Sequence, residues 1–286
     1  MDNTGLGRDK GMLQRSRRAL DWRARRVTAG MRSLPRFIVI GGQRCGTTSL
    51  FDYLSIHPGV RPAFRKEIHY FDMHFDRGES WYRSHFALSR SIKPGVTTGD
   101  ATPNYLVYPT APERARAIAP NTKLVVLLRD PVERTHSSWR LNCRQGWEKR
   151  SFDQAIDEEF SQMESVTTAI EPLPTDREGS RREKLRYAYL LKSQYAEHIE
   201  RWLSFYPRDQ LLVLQSEHLF SSPEKPLNQL TEFLEIGKGD PGGFPRINET
   251  AAADDISETS KRRLAEHLKP HNERLKELVE MEFDWA

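Results

Sequence analysis

One short unit constrains this chain more than any other: Phe37-Ile38-Val39-Ile40, then Gly41-Gly42-Gln43-Arg44-Cys45-Gly46-Thr47-Thr48, then Ser49-Leu50-Phe51-Asp52-Tyr53-Leu54. A continuous, β-branched apolar run of this length fits a strand buried on both faces, which only a covered parallel sheet provides. The stretch from Thr48 to Leu54 reads as a helix stopped near His57-Pro58-Gly59. Strand, glycine loop and helix in this order aim several backbone N–H groups and the positive end of a helix dipole at one point, which is a phosphate site. The loop nearly fits the nucleotide-triphosphate pattern, since Gly41 and Gly46 have its four-residue gap, but Thr47 stands where that pattern has Lys. A triphosphate with magnesium is thereby disfavoured. The cation sits instead inside the loop, at Arg44, where it can flank a monophosphate-like group while Thr47 and Thr48 donate from their hydroxyls.

The rest of the chain repeats the alternation. Lys123-Leu124-Val125-Val126-Leu127-Leu128 is a second buried strand running into Arg129-Asp130-Pro131, and Pro131 suits the first turn of a helix through Trp139. Gln210 to Leu214 is a third strand, following a helix expected from Tyr187 to Phe205. Strands alternating with helices imply a parallel sheet flanked by helices, and 286 residues suffice for one large α/β domain. Ser151 to Arg182 reads as a helix followed by a mobile loop, and 257–280 as a closing amphipathic helix. The longest aliphatic runs, Phe37 to Ile40 and Leu124 to Leu128, fall far short of the roughly 18 residues a membrane span needs. The N-terminus also lacks the apolar core of a secretory signal, so a cytoplasmic location is expected.

Charge is unevenly placed. Residues 1–36 hold ten Lys and Arg against three Asp, giving +7 there, while the whole chain carries +4. Because the basicity is local, no nucleic-acid partner is expected. Residues 1–34 read as a basic extension, with Leu13, Leu20, Val27 and Leu34 seven apart on one possible helix face. The plain reading is a solvated arm whose few apolar residues pack on a main domain of residues 35–286. The alternative is peripheral contact with a membrane or another anionic surface. Cys45 and Cys143 offer neither a disulfide framework nor zinc-ligand spacing.

Three segments together, GGQRCGTTSL from Gly41, KEIHYFD from Lys66 and LLRDPVERTHSSW from Leu127, resemble the PAPS-dependent sulfotransferases. The similarity is to the carbohydrate branch, which includes heparan sulfate N- and 3-O-sulfotransferases and bacterial relatives, and it covers roughly residues 35–286. It implies a P-loop NTPase-like sheet in a single domain, PAPS as donor with PAP as product, and no metal. It implies that Gly42, Gln43, Arg44, Cys45, Gly46, Thr47 and Thr48 hold the 5′-phosphosulfate end, and that Arg129 and Ser137 hold the 3′-phosphate. It makes Glu67 the general base on the acceptor, with Lys66 bridging the sulfonate or binding the acceptor.

The chain also departs from that pattern. Arg44 replaces the usual Lys, and a permanently charged guanidinium stabilises a leaving phosphate without protonating it. Ala101 stands where heparan-type enzymes carry a substrate-contacting Lys, which argues against a heparan acceptor. The Lys-Gly-Arg loop expected near Asn248 to Asp255 is missing. His69 is an alternative base. His136 and Trp139 are expected to pack, Cys143 to be an ordinary thiol, and Cys45 to be a spacer. Acceptor loops are expected at 73–95 and 160–185. The reading is sulfonate transfer to a hydroxyl, secondarily an amine, of a carbohydrate, glycolipid or glycosylated small molecule. Its rivals are a P-loop kinase or nucleotide hydrolase and a non-catalytic anion-binding module.

Overall fold

The computed structural model describes residues 18–165, 185–238 and 256–285. Strands β1 (Phe37–Gly41), β2 (Gly99–Ala101), β3 (Lys123–Leu128) and β4 (Leu211–Gln215) form one parallel sheet in the order β2-β1-β3-β4. Ile38 lies opposite Leu124, and Leu124 opposite Leu211. Parallel neighbours need crossovers, and helices supply them: α1 (Thr47–Ile56), α2 (Ala111–Ile118), α3 (Pro131–Arg144), α4 (Phe152–Ser165), α5 (Tyr195–Leu203), α6 (Ser216–Ser221), α7 (Glu224–Phe233) and α8 (Glu258–Val279).

The period-2 alternation of side chains along a strand divides each one between two cores. Ile38, Ile40, Leu124 and Val126 pack with Ala115 of α2, Ile199 and Trp202 of α5, and Leu275 and Val279 of α8. Phe37, Val39, Val125 and Leu127 pack on the other side, with Leu50 and Tyr53 of α1 and Leu227 and Leu230 of α7. Both faces are covered, so the strands read as unbroken apolar runs. A third cluster joins Phe152, Ile156 and Phe160 of α4 to Leu264 and Leu268 of α8.

β1, β3 and the helices that follow them lie where the sequence places them, β4 lies one residue later than expected, and β2 is not among the expected strands. Elsewhere the expectations need correction. β2 is only three residues long, and a Cβ on its Gly99 would lie 2.5 Å from the Phe37 carbonyl oxygen, so close strand approach demands glycine there. No single helix runs from Tyr187 to Phe205: a 3₁₀ turn at Leu191–Ser193 precedes α5. The N–H groups of Leu190 and Leu191 donate to Glu159 at 2.9 Å each, and Arg134 donates to the Tyr189 carbonyl. Backbone groups that a helix would use are already taken by tertiary partners.

The expected acceptor loop 73–95 contains the helical segment Gly78–Arg83, whose Trp81 and Tyr82 join the core together with Phe86, while Met73 lines the cleft and 76–80 are exposed. α4 fulfils the helix expected after Ser151, whereas the loop beyond it, Asn248 to Asp255 and Leu13 lie outside the described residues. Residues 18–27 are helical, with Trp22 stacked on Phe64 at 5.4 Å and Arg25 over the same ring at 4.9 Å. Leu20 and Val27, expected to pack, are 66% and 88% exposed, because Trp22 and the Arg25 stem take the inner face.

Candidate active site

The glycine loop leaves β1 and enters α1 through Gly46, whose φ of 89° is the left-handed region and whose added Cβ would lie 2.6 Å from the Phe220 ring. Conformation and space both require glycine there. Inside the loop the Gly42 N–H donates to Leu127 O at 2.7 Å and the Cys45 N–H to Gly42 O at 3.3 Å, so these two amides hold the loop's own shape. The Cys45 side chain is fully buried, and burial pushes its thiol up to about 11. A buried thiol of raised pKa is poorly suited to nucleophilic attack. Gln43, Arg44, Thr47 and Thr48 line a cleft of about 350 Å³. The first N–H groups of α1 have no acceptor within the helix, and with the dipole they favour an anion at this end.

The opposite wall hangs from the end of β2. The Glu67 N–H donates to Ala101 O at 3.0 Å, and the His69 N–H to Thr102 Oγ1 at 3.4 Å. Lys66 Nζ donates to Thr48 Oγ1 at 2.9 Å and to Glu67 Oε1 at 3.0 Å, which ties the two walls together. His69 Nε2 lies 3.8 Å from Glu67 Oε2, while its Nδ1 lies 2.8 Å from Oδ2 of the fully buried Asp72. Asn104 donates to the same Asp72 oxygen at 2.7 Å. The neighbouring His69, opposed by burial and reinforced by Lys66, lowers Glu67 to about 2. Burial works against the His69 imidazolium, but its bonds to Asp72 and Glu67 prevail and raise it to about 9. That direction favours an imidazolium facing the Glu67 carboxylate across 3.8 Å.

Backbone strain gathers here as well. Five described non-glycine residues have positive φ, and three of them, Arg44 at 69°, Glu67 at 56° and His69 at 57°, belong to this cleft. Left-handed conformation costs such residues about 1–2 kcal/mol each and persists only where surrounding bonds enforce it.

α3 forms the third wall. Asp130 caps it by accepting from the Glu133 N–H at 2.8 Å, and Ser138, Leu141 and Asn142 face the cleft. Ser137 Oγ accepts from Arg44 Nε at 3.0 Å, so α3 holds the loop arginine in place. Burial, followed by the nearby charges of Arg144 and Arg129, lowers the Arg44 pKa from its very high ordinary value. Arg129 pairs with Glu133 at 3.2 Å on a partly exposed surface, an i,i+4 bond weak enough for a phosphate to displace. His136 stacks on Trp139 at 5.6 Å, and both pack on Phe152. Ala101, which stands where the heparan-type pattern has Lys, is fully buried in the core beneath α1.

Three groups in and around the cleft escaped sequence reasoning. Asp72 was within reach of it, three residues beyond His69 on one helical turn. Arg186 and Lys192 had no local signal, because a break in the chain before α5 brings them in.

Residues 34–274 match the family described as Sulfotransferase domain. The chain is 29% identical over 88% of its length to the membrane-associated sulfotransferase kil1 of Dictyostelium discoideum. It is 29% identical over 90% of its length to the human heparan sulfate glucosamine 3-O-sulfotransferase 3B1. It spans 66% of the length of each of these relatives. A solved sulfotransferase from Alicyclobacillus acidocaldarius shares the fold, with a TM-score of 0.64 over 88% of this chain and 98% of the other at 22% identity. The family match runs from before β1 into α8 and takes in all three walls of the cleft, and on that ground this chain belongs to the sulfotransferase family.

Proposed function

We propose that this chain transfers a sulfonate group from PAPS to a hydroxyl of a carbohydrate, carried as a sugar, glycolipid or glycosylated small molecule, with Glu67 as the base. The observation that carries the reading is the charge of the cleft wall: Glu67 is a carboxylate among Arg44, Lys66, protonated His69, Arg186 and Lys192. A polyanionic nucleotide fits such a wall, and the Gly46 turn with the first amides of α1 fits its phosphosulfate end. The names of the 3-O-sulfotransferase relatives support a carbohydrate hydroxyl as acceptor.

When bound, PAPS supplies an activated sulfonate and a phosphate leaving group. The chain's own residues then position and neutralise, as in phosphoryl transfer with attacking and departing oxygens in line. Gln43, Thr47 and Thr48 orient the phosphosulfate end. Arg44, steadied by Ser137, and Lys66, steadied by Thr48, offset negative charge at the leaving oxygen, and Arg44 does so without giving up a proton. Glu67 receives the acceptor proton. Its low pKa keeps it ionised, so it takes that proton late, once the attacking oxygen has become strongly acidic.

The test uses labelled PAPS with a heparan sulfate oligosaccharide as trial acceptor, together with calorimetry of PAP and of magnesium-ATP. Glu67→Gln should lower turnover by about 10² to 10⁴ while keeping its affinity for PAP. Wild-type turnover in folded Glu67→Gln, or a preference for magnesium-ATP over PAP, would overturn the reading, and the latter would favour a kinase or hydrolase.

A further inference from the structure

Lys192 is the cleft group that this scheme leaves without a task. It lies on the 3₁₀ turn Leu191–Ser193, is 5% exposed, and reaches the cleft wall. Among the described residues its ammonium has no hydrogen-bond acceptor and no ion-pair partner. The acid whose field reaches it, Glu159, commits both carboxylate oxygens to the N–H groups of Leu190 and Leu191. Beside it Arg134, 1% exposed, donates to Ser193 Oγ at 2.7 Å and to the Tyr189 carbonyl, leaving its Nη1 unpartnered. Two buried cations facing one occupied carboxylate carry a desolvation cost that an arriving anion relieves.

The turn's contacts say where in the cleft that anion belongs. Ser193 Oγ donates to Pro131 O at 3.0 Å and lies 2.7 Å from Thr135 Oγ1, so the turn is seated on the first turns of α3. Two residues on, Tyr195 Oη donates to Arg129 O at 2.9 Å. Lys192 therefore stands beside α3, within the field of Arg134 on that helix and of Arg186, whose guanidinium lies over the Trp147 ring at 4.2 Å.

We propose that Lys192 is a further donor-binding residue, placing its ammonium on a phosphate of the nucleotide where the cleft runs beside α3. The proposal rests on the PAPS reading above. Titration agrees with the geometry: burial first, and then the charges of Arg134 on α3 and Arg186, lower Lys192 to about 7, while Glu159 of α4 acts in the opposite sense. Above that pH the free chain holds Lys192 largely neutral and takes up a proton when the nucleotide binds.

The experiment is calorimetry of PAP binding to the full chain from about pH 6 to about pH 9, in two buffers of different ionisation enthalpy. Wild type is compared with Lys192→Met, which keeps the apolar stem, and Lys192→Arg, which keeps the charge at every pH. Wild-type affinity should fall as pH rises through about 7, with proton uptake above it. Lys192→Met should bind about ten- to a hundredfold more weakly at the acid end. Lys192→Arg should keep tight binding and lose the uptake, and it answers the question even where the Met variant does not fold. The phosphate's own titration is common to all three proteins and cancels in the comparison. If Lys192→Met binds PAP like wild type, or Lys192→Arg keeps the same uptake, the proposal fails while the PAPS reading stands. If wild type binds no PAP at any pH, both fail.

Discussion

Replacing Asp72 by Asn isolates what keeps His69 charged beside the proposed base. Asp72 is fully buried, its Oδ2 lies 2.8 Å from His69 Nδ1, and Asn preserves its shape and an oxygen that can still accept from the Met73 N–H. His69 is raised from an ordinary 6.5 to about 9, which amounts to about 3.4 kcal/mol in favour of the imidazolium. Glu67 supplies the smaller share, from 3.8 Å and with a side chain 48% exposed, so about 2 kcal/mol falls to Asp72. A raised pKa gives stability that is complete below 6.5 and is lost as pH rises through about 9. Asp72→Asn should therefore cost about 2 kcal/mol at pH 6, and much less at pH 10, in urea unfolding. By NMR, the His69 imidazole of the variant should titrate near or below 6.5. The alkaline limb of kcat/KM should move the same way, because a neutral His69 no longer holds Glu67. An unfolding cost equal at both pH values would refute the argument, since it would show that Asp72 acts through shape alone.

The other expectations are simpler to state. Gly46→Ala places a Cβ 2.6 Å from Phe220 at a φ of 89°, and should cost about 1–3 kcal/mol in thermal unfolding together with much of the PAP affinity. Glu133→Gln frees Arg129 from its 3.2 Å partner and should tighten PAP binding about two- to fivefold by calorimetry, whereas unchanged or weaker binding would remove Arg129 from the donor site. Iodoacetamide at about pH 8 should label Cys143 and spare the fully buried Cys45 until the chain is unfolded, as read by peptide mass spectrometry, and native labelling of Cys45 would contradict its role as a spacer.

What could be read from the sequence is what local rules encode. β1, β3 and β4 are unbroken apolar runs because two cores, one on each face, claim alternate residues of every strand. The glycine loop was legible because a strand, a tight turn and a helix N-terminus have one electrostatic consequence. The break before α5 was not, since Glu159 makes it from 31 residues away in sequence. Heptad spacing misplaced the inner face of residues 18–27 because one Trp and one Arg stem bury more surface there than Leu20 or Val27 could. Glu67 and Lys66 came only from family resemblance, and the reason is physical. Local propensity places neither Arg44, Glu67 nor His69 in the left-handed region, yet all three occupy it. Glu67 and His69 are held there through bonds to the Ala101 carbonyl and the Thr102 hydroxyl at the end of β2, and Arg44 through its bond to Ser137 on α3. Where three tertiary anchors override local preference at adjoining positions, the fold is maintaining one arrangement of charges. The strain therefore marks the same cleft that the charges do.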